Sequence, residues 1–316
     1  MQLRTLGRSN LRVAPLCLGG NVFGWTANEG ASFKVLDAFV DAGLNFIDTA
    51  DVYSAWVPGH HGGESETVIG NWLKRGARRD DVVIATKVGM EMGPDRKGLS
   101  AAHIARSAEE SLRRLQTDHI DLYFAHRDDP SISFEETLGA YQKLLADGKV
   151  RAIGASNYSA TRLAEALEVS RELGLPRYEV LQPLYNLYAR ADYESALEPR
   201  CVEQQISVVS YSALASGFLT GKYRAPADAA KSARGESVIA KFLNERGLRI
   251  LAALDAVGRR YGASSASVAL AWQIARPSIT APIASATTVD QLSELVAATR
   301  MKLDQAAIEQ LNTASR

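Results

Sequence analysis

Asp48, Tyr53, Lys87 and His126 are the side chains of this sequence whose types and spacing suit proton transfer to a carbonyl oxygen. Asn45-Phe46-Ile47-Asp48-Thr49-Ala50-Asp51-Val52-Tyr53 reads as a short apolar strand that stops on an acid and delivers a phenol five residues later. Taken alone, this nonapeptide fits equally well a loop capped by Asp48 and an ordinary half-buried Tyr53. Two later strands end on complementary chemistry. Val83-Ile84-Ala85-Thr86 ends on Lys87, and Leu122-Tyr123-Phe124-Ala125 ends on His126. A phenol is a poor acid at neutral pH, with an unperturbed pKa of about 10. A neighbouring ammonium is expected to lower that value, and a carboxylate to hold the ammonium charged and in place. Tyr53 is therefore expected to act as general acid or base and Lys87 to tune it, with Asp48 anchoring Lys87. His126 is expected to orient a carbonyl oxygen and share the proton. This chemistry reduces a carbonyl without a metal.

Such a set converges only if the strands share one rim. After a hairpin expected over residues 1–14, apolar strand candidates begin near residues 15, 45, 82, 120, 150, 178, 206 and 279, each followed by a helical pattern. The first helix is expected over 32–42. Others are expected near 64–74, 101–115, 161–173, 193–204, 247–261, 265–275, 289–298 and 305–312, with a further one carrying Phe134, Leu138, Tyr141, Leu144 and Leu145 before Gly148. Residues 217–236 read as irregular. Eight β/α units without a linker-like break argue for one domain over 1–316, a closed (β/α)8 TIM barrel with the hairpin plugging one end. An open doubly wound sheet would usually announce itself by Gly-x-Gly-x-x-Gly after its first strand. That position reads Gly19-Gly20-Asn21-Val22-Phe23-Gly24 instead. In a closed barrel the site lies at the carboxyl ends of the strands.

The 316 residues are 46% hydrophobic, enough for a large core, and carry 36 basic and 36 acidic side chains. Balanced charge without Lys/Arg runs gives no reason to expect nucleic acid or an acidic membrane as partner. The amino-terminal stretch lacks the apolar region of a signal peptide, and no apolar run is long enough to span a bilayer, so a cytoplasmic location is expected. Cys17 and Cys201 read as reduced core residues.

The set Asp48, Tyr53, Lys87 and His126, in the contexts Asn45-Phe46-Ile47-Asp48-Thr49-Ala50, Ala85-Thr86-Lys87 and His126-Arg127, closely resembles the catalytic tetrad of the aldo-keto reductase superfamily. The similarity runs from Leu6-Gly7 to about Leu295. It implies a (β/α)8 barrel that transfers a hydride from a reduced nicotinamide to an aldehyde or ketone, with NADPH the usual cofactor and no metal. It further implies that Ser156, Asn157 and Gln182 hold the nicotinamide carboxamide and that Tyr211 stacks on its ring. Ser212, Leu214, Ser216, Gly217, Leu219 and Lys222 match the pyrophosphate loop. Ile283, Ala284, Ser285, Thr287, Gln291 and Glu294 follow at the adenosine end. There the family often carries an Arg for the 2′-phosphate, whereas Gln291 stands here beside Asp290. NADPH is the expected cofactor, and NADH is the alternative that this departure opens.

A small-molecule carbonyl substrate is expected against Trp25, Trp56 and Arg127, with Asp128 and Tyr185 nearby. Residues 56–63 form an insertion with the reach of a lid. Its adjacent His60-His61 lack a third ligand at metal spacing. Barrels of this kind also occur as channel-associated subunits that bind a nicotinamide nucleotide and act mainly as sensors, which is the alternative to a turnover enzyme.

Overall fold

The computed structural model describes residues 2–76 and 78–316; residues 1 and 77, which fall within the expected hairpin segment and domain, lie outside the described residues. Strands β1 (Arg4–Thr5) and β2 (Arg12–Val13) pair antiparallel around the turn at Gly7, which takes φ +56°. The Arg4 guanidinium donates to the carbonyls of Ile274, Ile279 and Thr280 at 3.0, 2.9 and 3.0 Å. The Gly7 N–H donates to Ser207 Oγ at 2.8 Å. These bonds seat the hairpin across one end of the barrel.

The barrel strands are β3 (Cys17–Gly19), β4 (Phe46–Asp48), β5 (Val83–Val88), β6 (Ile120–Ala125), β7 (Val150–Ser156), β8 (Val180–Gln182), β9 (Ser207–Val208) and β10 (Ile283–Ala284). All pair parallel in the order β10-β3-β4-β5-β6-β7-β8-β9. The two ends of that order meet, because the Thr280 N–H donates to Val208 O and the Ile283 N–H to Ser210 O, both at 2.8 Å. The sheet therefore closes into the (β/α)8 barrel that the strand count implied.

Strand alternation decides which side chains enter the barrel. Phe46, Val83, Ala85, Leu122 and Phe124 pack inside it with Cys17, Val180 and Ala281. Ile47, Ile84 and Tyr123 face the larger core between barrel and helices. The same alternation sends Asp48 and Lys87 inward at the ends of β4 and β5, while Thr86 faces the helices.

The outer layer comprises α1 (Glu29–Asp41), α2 (Glu64–Gly76), α3 (Ala101–Leu115), α4 (Phe134–Ala146), α5 (Ala160–Leu173), α6 (Glu198–Gln204), α7 (Gly235–Phe242), α8 (Glu245–Tyr261), α9 (Ser265–Ile274), α10 (Val289–Ala298) and α11 (Gln305–Ala314). Four expectations need correction. The first helix starts at Glu29, ahead of residue 32, because Asn28 Oδ1 accepts from the Ala31 N–H at 2.9 Å and caps it earlier. The helix expected over 193–204 opens as a wider π turn, Tyr193–Leu197, ahead of α6. The last strand, β10, begins at Ile283, later than the start expected near residue 279, since Pro282 has no N–H for a ladder. The stretch 217–236 holds two short 3-10 turns, within Ala215–Thr220 and Pro226–Lys231, and the first turn of α7.

Candidate functional site

At the carboxyl end of the barrel, Lys87 is the fixed point. Its ammonium is fully buried. It donates to Asp48 Oδ2 at 2.7 Å, to the Thr49 carbonyl at 2.7 Å and to the Tyr53 hydroxyl at 2.9 Å. Three acceptors match the three protons of an ammonium, so its charge is satisfied without water. The Tyr53 hydroxyl in turn donates to Asp48 Oδ2 at 3.2 Å. Asp48, itself buried, takes a further bond on Oδ1, from Gln182 Nε2 at 2.8 Å.

Burial and then the Asp48 carboxylate push the Tyr53 phenol well above its ordinary value. The expected depression by Lys87 is therefore not the outcome in this cluster: Asp48 accepts the phenol's own proton, which favours the protonated form. His126 goes the other way. Burial first, then the Lys87 ammonium and Arg127, hold its imidazole well below the ordinary histidine value, so it is neutral at pH 7. Its ring lies edge-on to Tyr53 with centroids 6.1 Å apart, and Nδ1 is buried without a partner. Its backbone is pinned on both sides, the N–H by Val88 O at 2.8 Å and the carbonyl by Asn157 Nδ2 at 2.9 Å.

From this cluster a groove of about 890 Å³ runs outward. Its walls include Trp25, Asp48, Tyr53, Trp56, Tyr211, Ser212, Leu214, Ser216, Gly217, Lys222, Ile283, Ala284, Ser285, Thr287, Gln291 and Glu294. Sixteen sequence-marked residues scattered over almost 270 positions thus share one cavity. Ser212, Ala215 and Ser216 carry φ of 55°, 49° and 56°, followed by Gly217 at 92°. Three non-glycine residues in the left-handed region within five positions form a strained loop of the kind that turns backbone N–H groups towards an anion. Lys222 lies on the same wall.

Beside the groove, a hydrogen-bonded set links three strand ends. Ser156 Oγ donates to Gln182 O at 3.0 Å, Asn157 Nδ2 donates to Ser156 Oγ at 3.1 Å, and the Tyr211 hydroxyl donates to Asn157 Oδ1 at 2.7 Å. Gln182 points at Asp48 as well, a contact that motif matching alone did not suggest. Leu219 does not reach the groove: its side chain is in the core and its N–H is bonded to Leu214 O. Arg127 is exposed and, with Lys87, His126, Ser156, Asn157 and Gln182, lies outside the groove walls. Gln291 turns its amide oxygen back on the Thr287 N–H at 2.9 Å, an internal cap at the start of α10.

Two basic wall residues escaped sequence reading, Lys231 and Arg234. Lys231 is paired with Asp228 at 2.7 Å. The Arg234 guanidinium sits 4.9 Å over the Trp25 ring and has no acidic partner among the described residues. A basic residue in a segment that read as irregular was the only signal available. Trp25 meets Trp56 edge-on at 5.5 Å, and Trp56, half exposed, meets Tyr53 at 6.2 Å. The 56–63 insertion is a run of turns anchored by the His61 N–H on Glu64 Oε1 at 2.8 Å. Among the described residues no three His, Cys, Asp or Glu side chains cluster at metal-binding distance, and no helix is long and apolar enough to cross a membrane.

The sequence is similar to those of known proteins. The chain is 35% identical over 319 aligned positions to an uncharacterized oxidoreductase of Bacillus subtilis, YrpG, covering 99% of this chain and 95% of that one. It is 36% identical to a probable voltage-gated potassium channel subunit beta of Oryza sativa, covering 93% and 90%. It is 32% identical to norsolorinic acid reductase B of Aspergillus parasiticus, covering 97% and 82%. Residues 15–316 match the model of the aldo/keto reductase family. With a closed β/α barrel and an oxidoreductase among such relatives, the chain belongs to the aldo/keto reductase family of oxidoreductases.

Proposed function

We propose that the protein is an NAD(P)H-dependent reductase of aldehydes or ketones in which Tyr53 is the general acid. The observation that carries this is the Tyr53 hydroxyl at the groove wall, bonded at once to Lys87 and Asp48. A phenol pushed up by burial holds its proton at neutral pH and releases it only to an oxygen that becomes strongly basic. When the proton leaves, the Lys87 ammonium, 2.9 Å away, is already in place to stabilise the phenolate. Neutral His126, with Nδ1 buried and without a partner, keeps Nε2 as the nitrogen available to the carbonyl oxygen.

A reduced nicotinamide, when bound, supplies the hydride. Ser156, Asn157, Gln182 and Tyr211 are the residues that would hold its ring, and the strained 212–217 loop with Lys222 its pyrophosphate. The groove volume and the loop's left-handed residues fit such a ligand. NADPH is favoured by the family resemblance, while Gln291, standing where the family often carries Arg, keeps NADH as the alternative. Trp25 and Trp56 favour substrates with an apolar or ring face, and similarity to a reductase of norsolorinic acid supports carbonyl reduction.

The test is steady-state oxidation of NADPH and NADH against an aldehyde and ketone panel, with and without EDTA. Turnover that survives chelation is expected. The similarity to probable channel beta subunits of rice and Arabidopsis supports the second reading, a nucleotide-binding sensor. Tight NADPH binding without turnover of any carbonyl would select it.

A further inference from the structure

We infer that Gln182 is a positioning residue for the Asp48 carboxylate, so that one side-chain amide ties the proton-donating cluster to the groove it serves. The kinetic arm of the test below rests on the reductase reading; the thermal arm does not.

In the strand order, β4 and β8 stand four places apart in a closed ring of eight, so Asp48 and Gln182 face each other across the barrel mouth. They are joined by the bond from Gln182 Nε2 to Asp48 Oδ1, 2.8 Å long, between side chains that are both almost wholly buried. The amide orientation follows from chemistry: an ionised carboxylate only accepts, so the NH₂ end must face it and Oε1 must face away. Gln182 Oε1 accepts no bond among the described residues. The Gln182 backbone is itself held, its carbonyl accepting from Ser156 Oγ.

This gives Asp48 a division of labour. Oδ2 takes Lys87 and Tyr53, and Oδ1 takes Gln182. A buried carboxylate stripped of the Oδ1 donor is left with an unsatisfied oxygen and a free torsion. The cost is then borne by the Lys87–Asp48 geometry on which Tyr53 depends. The titratable groups around this contact are Asp48 on β4, Lys87 on β5 and Tyr53 beyond β4. Cys17 on β3 and His126 after β6 feel the same charges.

Two substitutions separate positioning from mere cofactor holding. Gln182→Glu retains an oxygen that accepts from a nicotinamide carboxamide at every pH, but it can donate to Asp48 only while protonated. Positioning therefore predicts that its kcat relative to parent falls at least about tenfold between about pH 5.5 and 8, as a second carboxylate forms against Asp48. Cofactor holding alone predicts a flat ratio, which would overturn the proposal. Gln182→Met, uncharged, should lower kcat at saturating cofactor by about tenfold at every pH; a raised cofactor KM with parental kcat would equally overturn it.

The melting temperature supplies the readout that needs no turnover. A glutamate whose folded-state pKa is raised by burial and by Asp48 binds more protons folded than unfolded, so stability falls as pH rises. The gap between parent and Gln182→Glu should widen from about pH 5.5 to 8. A gap independent of pH removes the contact. If the parent turns over no carbonyl, the reductase reading fails while the thermal result still decides the contact.

Discussion

Consecutive residues of β5 serve two buried charge clusters on opposite faces of the barrel wall. Inside, Lys87 joins Asp48, Tyr53 and, through Asp48, Gln182. Outside, the Thr86 hydroxyl donates to Glu66 Oε1 at 2.5 Å, and Glu66 Oε2 accepts from Arg114 Nε at 2.6 Å. Asp51 is buried on that side with neither carboxylate oxygen bonded, and the Tyr123 and Tyr141 hydroxyls are also buried without partners. Burial first and then Glu66 push the Asp51 carboxyl well up. The inner cluster has a partner for every proton of its ammonium and opens on a groove. The outer one contains a lone buried acid, and Glu66, Thr86, Arg114 and Asp51 do not line that groove. A displaced pKa is thus found in both clusters of this barrel, whereas a satisfied ammonium beside an accessible cavity is found only in the one proposed here as the reactive site.

Breaking the inner cluster has the largest expected effect. Tyr53→Phe should lower kcat by about 10²–10⁴-fold with cofactor binding retained, measured by single-turnover kinetics and fluorescence titration. Lys87→Met should fall in the same range, and parental rates in either variant would refute the assignment of Tyr53 as acid. The outer cluster should answer in stability instead. Arg114→Ala leaves Glu66 buried and unpaired, with an expected loss of about 3 kcal/mol in urea unfolding and little change in kcat of the folded fraction.

The next contrast is in pH. The folded-state pKa of Asp51 is raised, so the folded protein binds the extra proton. Its contribution is fully present below the ordinary carboxylate value and is lost as pH rises towards the folded value. Asp51→Asn should remove that slope and gain about 1 kcal/mol above neutral pH, read from unfolding curves at several pH values. The smallest effect is spectroscopic: Tyr211→Ala should abolish quenching of bound reduced-nicotinamide fluorescence while weakening binding by about 1 kcal/mol.

The strands bearing Asp48, Lys87 and His126 were legible because each is an apolar run that stops on an ionisable residue, and a period of two then dictates which side chains turn inward. Helix α3 was legible to the residue, since Ser100 caps it and its apolar stripe is sustained. Helix α7 was not: it is short, and its buried residues are Gly235, Val238 and Phe242 alone. Arg234 was missed with it, because its place over Trp25 joins positions some two hundred residues apart. The Gln182–Asp48 bond is likewise a product of barrel closure, which no local pattern encodes.

The hairpin carries a consequence for the order of assembly. Arg4 finds its acceptors at residues 274–280 and Gly7 finds its own at Ser207. On the ribosome these early residues emerge long before the carbonyls that receive them, so they wait undocked while most of the chain is made. Seating of the plug is therefore a late step, and protease protection around Gly7 should appear only after the final β/α units have emerged.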